Sequence, residues 1–169
     1  MIQSDKFDSS IMNIKKIANS VLYFVINRLI EIFGIFVSLM GVFLFIALLS
    51  YSPTDPNFIF PENTKITNIL GFQGSYTSDI FLQSLGLISY LIPITFIFTG
   101  VNVFMRKDIF IFIENIFLIF IYSSIGSLFF GYFYNESFKL YINGSGGFVG
   151  NYLGDTLLRN IISFNENIS

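Results

Sequence analysis

Histidine, cysteine and tryptophan are missing from these 169 residues, and charged residues make up only 12% of them. Without histidine, the commonest general base and the commonest metal ligand are both gone. Without cysteine there is no disulfide framework, no thiolate metal site and no redox clue to the compartment. A soluble domain of this size covers itself with roughly twice this charged fraction. The net charge of −2, with no stripe of Lys and Arg, excludes a surface that follows nucleic-acid phosphates. No carboxylate pair is placed for acid–base work. Catalysis, a cofactor and a metal are therefore not expected.

What the chain has is apolar side chain, with 53% hydrophobic residues and a mean hydropathy of +0.70. Its 23 phenylalanines fit an A/T-rich codon bias better than a functional aromatic surface. The few charges sit in short clusters between long apolar runs, as in a membrane protein.

Residues 1–13 are polar and read as a disordered tail. Over 14–28, apolar residues recur at Ile14, Ile17, Val21, Phe24 and Val25, with Lys15, Lys16, Asn19 and Asn27 between them. That spacing predicts an amphipathic juxtamembrane helix, lying on the membrane surface or simply extending the first span. Residues 29–51 are long enough to cross about 30 Å of hydrocarbon at about 1.5 Å per residue. This run is too long, and lacks the small-residue cleavage pattern, for a signal peptide. Pro53 and Pro56 end it, and 52–79 is a polar loop. A second span covers 80–104, with Pro93 expected to kink its middle. Residues 105–108 turn into a third span at 109–133. Residues 134–169 form a glycine-rich loop and then an interfacial helix. The expected fold is all-α: a polytopic helical membrane protein with three transmembrane helices and amphipathic flanking helices.

Lys6, Lys15, Lys16 and Arg28 flank the first span, and Arg106 and Lys107 lie in the short turn. The 52–79 loop has only Lys65, alongside Asp55, Glu62 and Asp79. The positive-inside rule then puts the amino terminus and the turn in the cytoplasm and the loop outside, in the periplasm.

Glu31 and Glu114 lie within apolar runs, about one turn inside the cytoplasmic ends of their helices. Interfacial ion pairs with Arg28, Arg106 or Lys107 are the expected use. The alternative is a small transporter or channel subunit working through the two carboxylates. Asp79 suits the N-cap or first turn of the second span, one turn before Gln83. Gly34, Ser38 and Gly41, and likewise Ser123, Ser127 and Gly131, form small-residue rows that let helices pack closely in lipid. They serve packing within the chain or between copies. Gly144, Gly146, Gly147 and Gly150 lack the Lys-Ser/Thr of a phosphate loop and read as a turn. Asn135, Asn143 and Asn167 each begin an N-x-Ser pattern, of no weight without a glycosylating compartment.

RLIEIFG before the span and SYSPTDPNF after it resemble the amino-terminal membrane region of FtsK/SpoIIIE-type DNA translocases. Ser50, Tyr51, Ser52, Pro53, Asp55 and Pro56 carry the most specific part. Gly71, Gly74, Ser78, Asp79, Gln83, Gly86, Tyr90, Pro93 and Gly100 follow in the family's order, then Gly146, Gly147 and Gly150. The resemblance covers roughly residues 28–155. It implies a bacterial inner-membrane domain of four spans, anchoring a hexameric cytoplasmic motor among division proteins at the septum. It implies no contact of this segment with DNA, since the motor and DNA-reading domains lie beyond it. Three spans leave the carboxyl terminus outside, so a fourth span is missing and a truncated fragment is expected rather than a stand-alone relative.

Overall fold

The computed structural model describes the backbone of residues 2–56, 65–134 and 143–158, with side chains from residue 14 to 156 within those stretches. Asn135, Asn167 and the part of the interfacial-helix segment beyond Leu158 lie outside the described residues. Every regular element among the described residues is helical.

The first helix, α1, is one unbroken element, Ile2–Leu49, of 48 residues and about 72 Å. The stretches read from sequence as tail, juxtamembrane helix and span are therefore continuous in backbone. The physical reason is that no proline or glycine precedes Gly34, and polarity alone does not break a helix. Bending from across a membrane to along it needs such a breaker, so 14–28 extends the span's axis.

The second crossing begins at Gly71, well before the expected Ile80. It comprises α2, Gly71–Leu85; a 3-10 turn, Gly86–Tyr90; and α3, Leu91–Arg106. The early start escapes the sequence because the first turns are polar (GFQGSYTSD), yet Gly74, Ser75, Ser78 and Asp79 face inward and are buried. The interruption also falls at Gly86 rather than at Pro93. Gly86 has φ +71°, and a Cβ there would overlap the Ser145 carbonyl, so only glycine fits. Pro93 is the third residue of α3, within the first turn, where a missing N–H costs no intrahelical bond.

The third crossing is α4, Phe110–Phe133, and a short α5, Gly147–Leu153, continues in one wide turn to Leu158. Ile14–Leu49, Gly71–Arg106 and Phe110–Phe133 are each long and apolar enough to cross a membrane. Two ends of the bundle can be named: the turn end, at 107–109, and the loop end, at 50–70.

Leu44, Leu48, Leu82, Ile92 and Ile119 form the small buried core. Outside it the spans present bare aromatics such as Phe110, Phe117 and Phe120, each more than 60% exposed. Such a surface suits hydrocarbon, and hydrocarbon does not press helices together. Close backbone approach does. A Cβ on Gly34 would lie 2.7 Å from the Gly100 carbonyl and the Phe104 amide, and one on Gly41 2.8 Å from the Pro93 carbonyl. The row Gly34–Ser38–Gly41 is thus the crossing of α1 over α3, within one chain.

Candidate functional site

The loop end is held by a buried carboxylate. Asp55, 1% exposed, accepts the Thr67 N–H at 2.9 Å, the Thr67 hydroxyl at 2.7 Å and the Asn68 N–H at 2.8 Å. Burial acts to raise its pKa, but these three donors outweigh it and hold the carboxyl below the ordinary aspartate value. Pro56 gives its carbonyl to the Ser75 hydroxyl at 3.1 Å, which ties the same turn to α2.

A helix ending in an apolar setting must satisfy its last carbonyls. At the end of α1, the Ile46 carbonyl takes the Ser50 hydroxyl at 2.7 Å, and the Ala47 carbonyl takes the Asn68 amide at 2.9 Å. The Leu48 carbonyl takes the Tyr51 N–H and the Tyr90 hydroxyl, both at 3.3 Å. Ser50 in turn accepts the Ile69 N–H at 3.2 Å.

Next to this cap, the Tyr51 hydroxyl donates to Asp79 Oδ1 at 3.1 Å, with the Gln83 amide at 3.5 Å from the same oxygen. Asp79 lies deep in α2 rather than at its N-cap, because the helix starts eight residues earlier than the polar sequence suggested. No lysine or arginine among the described residues forms an ion pair with it. Tyr51→Phe should therefore leave Asp79 Oδ1 with only the long Gln83 contact and cost roughly 1–3 kcal/mol. The SDS fraction at the unfolding midpoint in mixed micelles would measure this. In an Asp79→Leu background the same change should have little effect.

The glycine segment is a turn at Gly144 and Gly146, closed by the Gly147 N–H on the Gly144 carbonyl at 3.3 Å, that runs directly into α5 at Gly147. Gly146 and Gly150 press against the Ser127 carbonyl, and Gly147 against the Gly86 amide. Gly131 faces Gly150, and the Ser127 hydroxyl donates to the Leu85 carbonyl at 2.9 Å, one of those released by the 3-10 turn. The Leu87 N–H donates to the Ser145 carbonyl at 2.9 Å. Ser123 is buried against its own helix, bonding the Phe120 carbonyl. So the second small-residue row seats α5 between α4 and the broken crossing.

At the turn end Glu31 bonds both Arg28 and Lys107, the latter at 3.0 Å. Lys107 has φ +57°, and its N–H caps α3 on the Val103 carbonyl. Arg28 also lies over the Phe24 ring, 5.1 Å from its centroid. Glu114 and Arg106 are exposed and join no ion pair among the described residues. The expected pairing of Glu114 with this turn is thus not made, because the left-handed Lys107 takes its ammonium to α1 instead.

No group of three or more His, Cys, Asp or Glu residues able to hold a metal exists among the described residues. An open cleft of about 530 Å³ between α1, α2 and α3 is lined by residues such as Phe43, Leu44, Gln73 and Phe81, none of them ionisable. Nothing there supports acid–base chemistry.

The family described as the 4TM region of DNA translocase FtsK/SpoIIIE matches residues 27–165. The chain belongs to this family. It is similar to the DNA translocase FtsK of Azospirillum brasilense, 31% identical over 88 residues, 51% of this chain and 14% of that protein. The FtsK of Rickettsia prowazekii is 30% identical over 82 residues, 47% of this chain and 11% of the relative. That of Caulobacter vibrioides is 35% identical over 75 residues, 44% and 9% respectively. The chain thus matches a small fraction of the length of these curated relatives. No solved structure matches it.

In this FtsK/SpoIIIE membrane region the motif residues do structural work. Ser50, Tyr51, Asp55 and Pro56 are spent on the cap and the clamp, and Ser52 bonds Thr54 at 2.9 Å. The sequence reading missed Thr67, Asn68, Ser75 and Asn143. Asn68 carried a local signal, since its side chain accepts the N–H two residues on, from Leu70. Asn143, whose amide reaches the Gln83 carbonyl at 3.1 Å, had none, because its partner is 60 residues away.

Proposed function

We propose that this chain is the non-catalytic anchor and assembly region of a septal DNA translocase acting in bacterial cell division and chromosome segregation. Its family membership carries the reading: the matched stretch is the membrane region of the translocase, not a motor. The use of the motif's polar groups in backbone capping and helix clamping supports it, since they serve a rigid scaffold.

The chain sits in the bacterial inner membrane, with the amino terminus and the turn end in the cytoplasm. The Lys/Arg distribution supports this orientation. Its partners are membrane lipid, further copies of itself (a hexamer, by the family resemblance) and division proteins at the septum. It makes no direct contact with nucleic acid. The transporter reading is weaker, because Glu31 is committed to two cations at one end and Glu114 lies near that same end.

A reporter fusion to residues 1–169 in a dividing bacterium should concentrate at midcell. An even membrane signal in cells with complete septa would sink the septal role. In liposomes, replacing both Glu31 and Glu114 by Gln should leave ion flux at the background of empty vesicles.

A further inference from the structure

Two polar side chains on the outer faces of the spans lack a partner at the same depth. Asn102 lies four residues before the end of α3, and Glu114 four residues after the start of α4. At about 1.5 Å per residue, each sits about 6 Å inside the turn end. Both are exposed, and neither has a hydrogen bond or ion pair among the described residues. Arg106, one turn beyond Asn102, is likewise exposed and unpaired.

Side chains on a helix lean toward its amino terminus. Arg106 therefore leans into the membrane toward Asn102, and Glu114 leans out toward the turn. The donors on α3 and the acceptor on α4 reach for one level, on different helices, and do not meet within the chain. Around them the faces are bare: Phe98 and Met105 on α3, Phe110 and Phe117 on α4.

An asparagine amide and a carboxylate facing hydrocarbon each favour a partner helix. Anionic headgroups would serve Arg106 alone and repel Glu114. A second copy of this chain serves all three groups.

We propose that the α4 face of one copy docks on the α3 face of the next, setting Glu114 against Asn102 and Arg106. The contact is head-to-tail, so each copy keeps one free α3 face and one free α4 face, and successive copies close into a ring when the rotation permits. The inference rests on the self-association in the functional reading above and names the surface that carries it.

The absence of native cysteine makes the test clean. Chains of residues 1–169 with Met105→Cys and with Phe110→Cys, differently tagged, are co-expressed and treated in membranes with a short bismaleimide. A mixed-tag adduct is expected. Glu114→Arg or Arg106→Glu alone should lower its yield about tenfold, and the two inversions together in both chains should restore it. No mixed-tag adduct, although both cysteines react with a maleimide dye, would overturn the interface, as would a yield indifferent to Glu114→Arg. Adduct without midcell signal would fault only the septal role; midcell signal without adduct would fault only the interface.

Discussion

Gly100→Leu is expected to separate α1 from α3 and lower stability by about 3 kcal/mol, the upper end for overpacking a close contact. A side chain there meets the Gly34 carbonyl and the Ser38 amide. These are backbone atoms of a helix, unable to rotate away, so α1 as a whole must move. The SDS midpoint in mixed micelles should fall markedly, and Gly100→Ala should already show part of the loss. Val101→Leu, on the neighbouring exposed position, is the control and should change nothing. A wild-type midpoint for Gly100→Leu would mean that the helices do not touch as described.

Asp55→Ala is the second large effect. It leaves the Thr67 N–H, the Thr67 hydroxyl and the Asn68 N–H without their acceptor. The Asn68 N–H is buried and the Thr67 donors lie at the surface, so one full orphan and two part-hydrated ones are expected to lower stability by about 1–3 kcal/mol. It should also free the Asn68 side chain from the end of α1. A pH dependence accompanies it. The Asp55 carboxyl is held below its unfolded value of 3.8, so its contribution is complete above about pH 4 to 5 and fades as pH falls through the lower, folded value. Stability of the wild-type chain should therefore drop on acidification below about pH 4, and Asp55→Asn should flatten that part of the profile. Identical acid profiles for the two proteins would remove Asp55 from its role.

How much of this was legible depended on the range of each signal. The spans of α1 and α4 follow from uninterrupted apolar runs, and the glycine rows from their spacing. The start of α2 was hidden because Gln73, Ser75 and Ser78 look like loop in one dimension, whereas Ser75 finds its buried partner, the Pro56 carbonyl, only once the loop folds over it, and Ser78 bonds the Ser75 carbonyl within the helix. The misplacement of Asp79 follows from the same error. Pro93 misled because a proline near the middle of a crossing is ordinarily its kink, and nothing local announces that α3 begins just before it. The turn at 144–146 was legible, but the helix that follows from Gly147 was not, because the Ser127 and Gly86 backbone against which it packs is far away in sequence. Glu31 was recognisable as one end of an ion pair. Which of the two carboxylates Lys107 would choose depended on a left-handed residue that no periodicity encodes.

The unbroken course of α1 has a mechanical result. Glu31 pins the rod to the turn end through Lys107, and the 17 residues from there back to Ile14 form a stiff arm of about 26 Å. Pivoted at that pin, a tilt of 10° sweeps its tip sideways by about 4 Å. Small reorientations among the buried segments are thus delivered, enlarged, to whatever stands beside the far end of the arm.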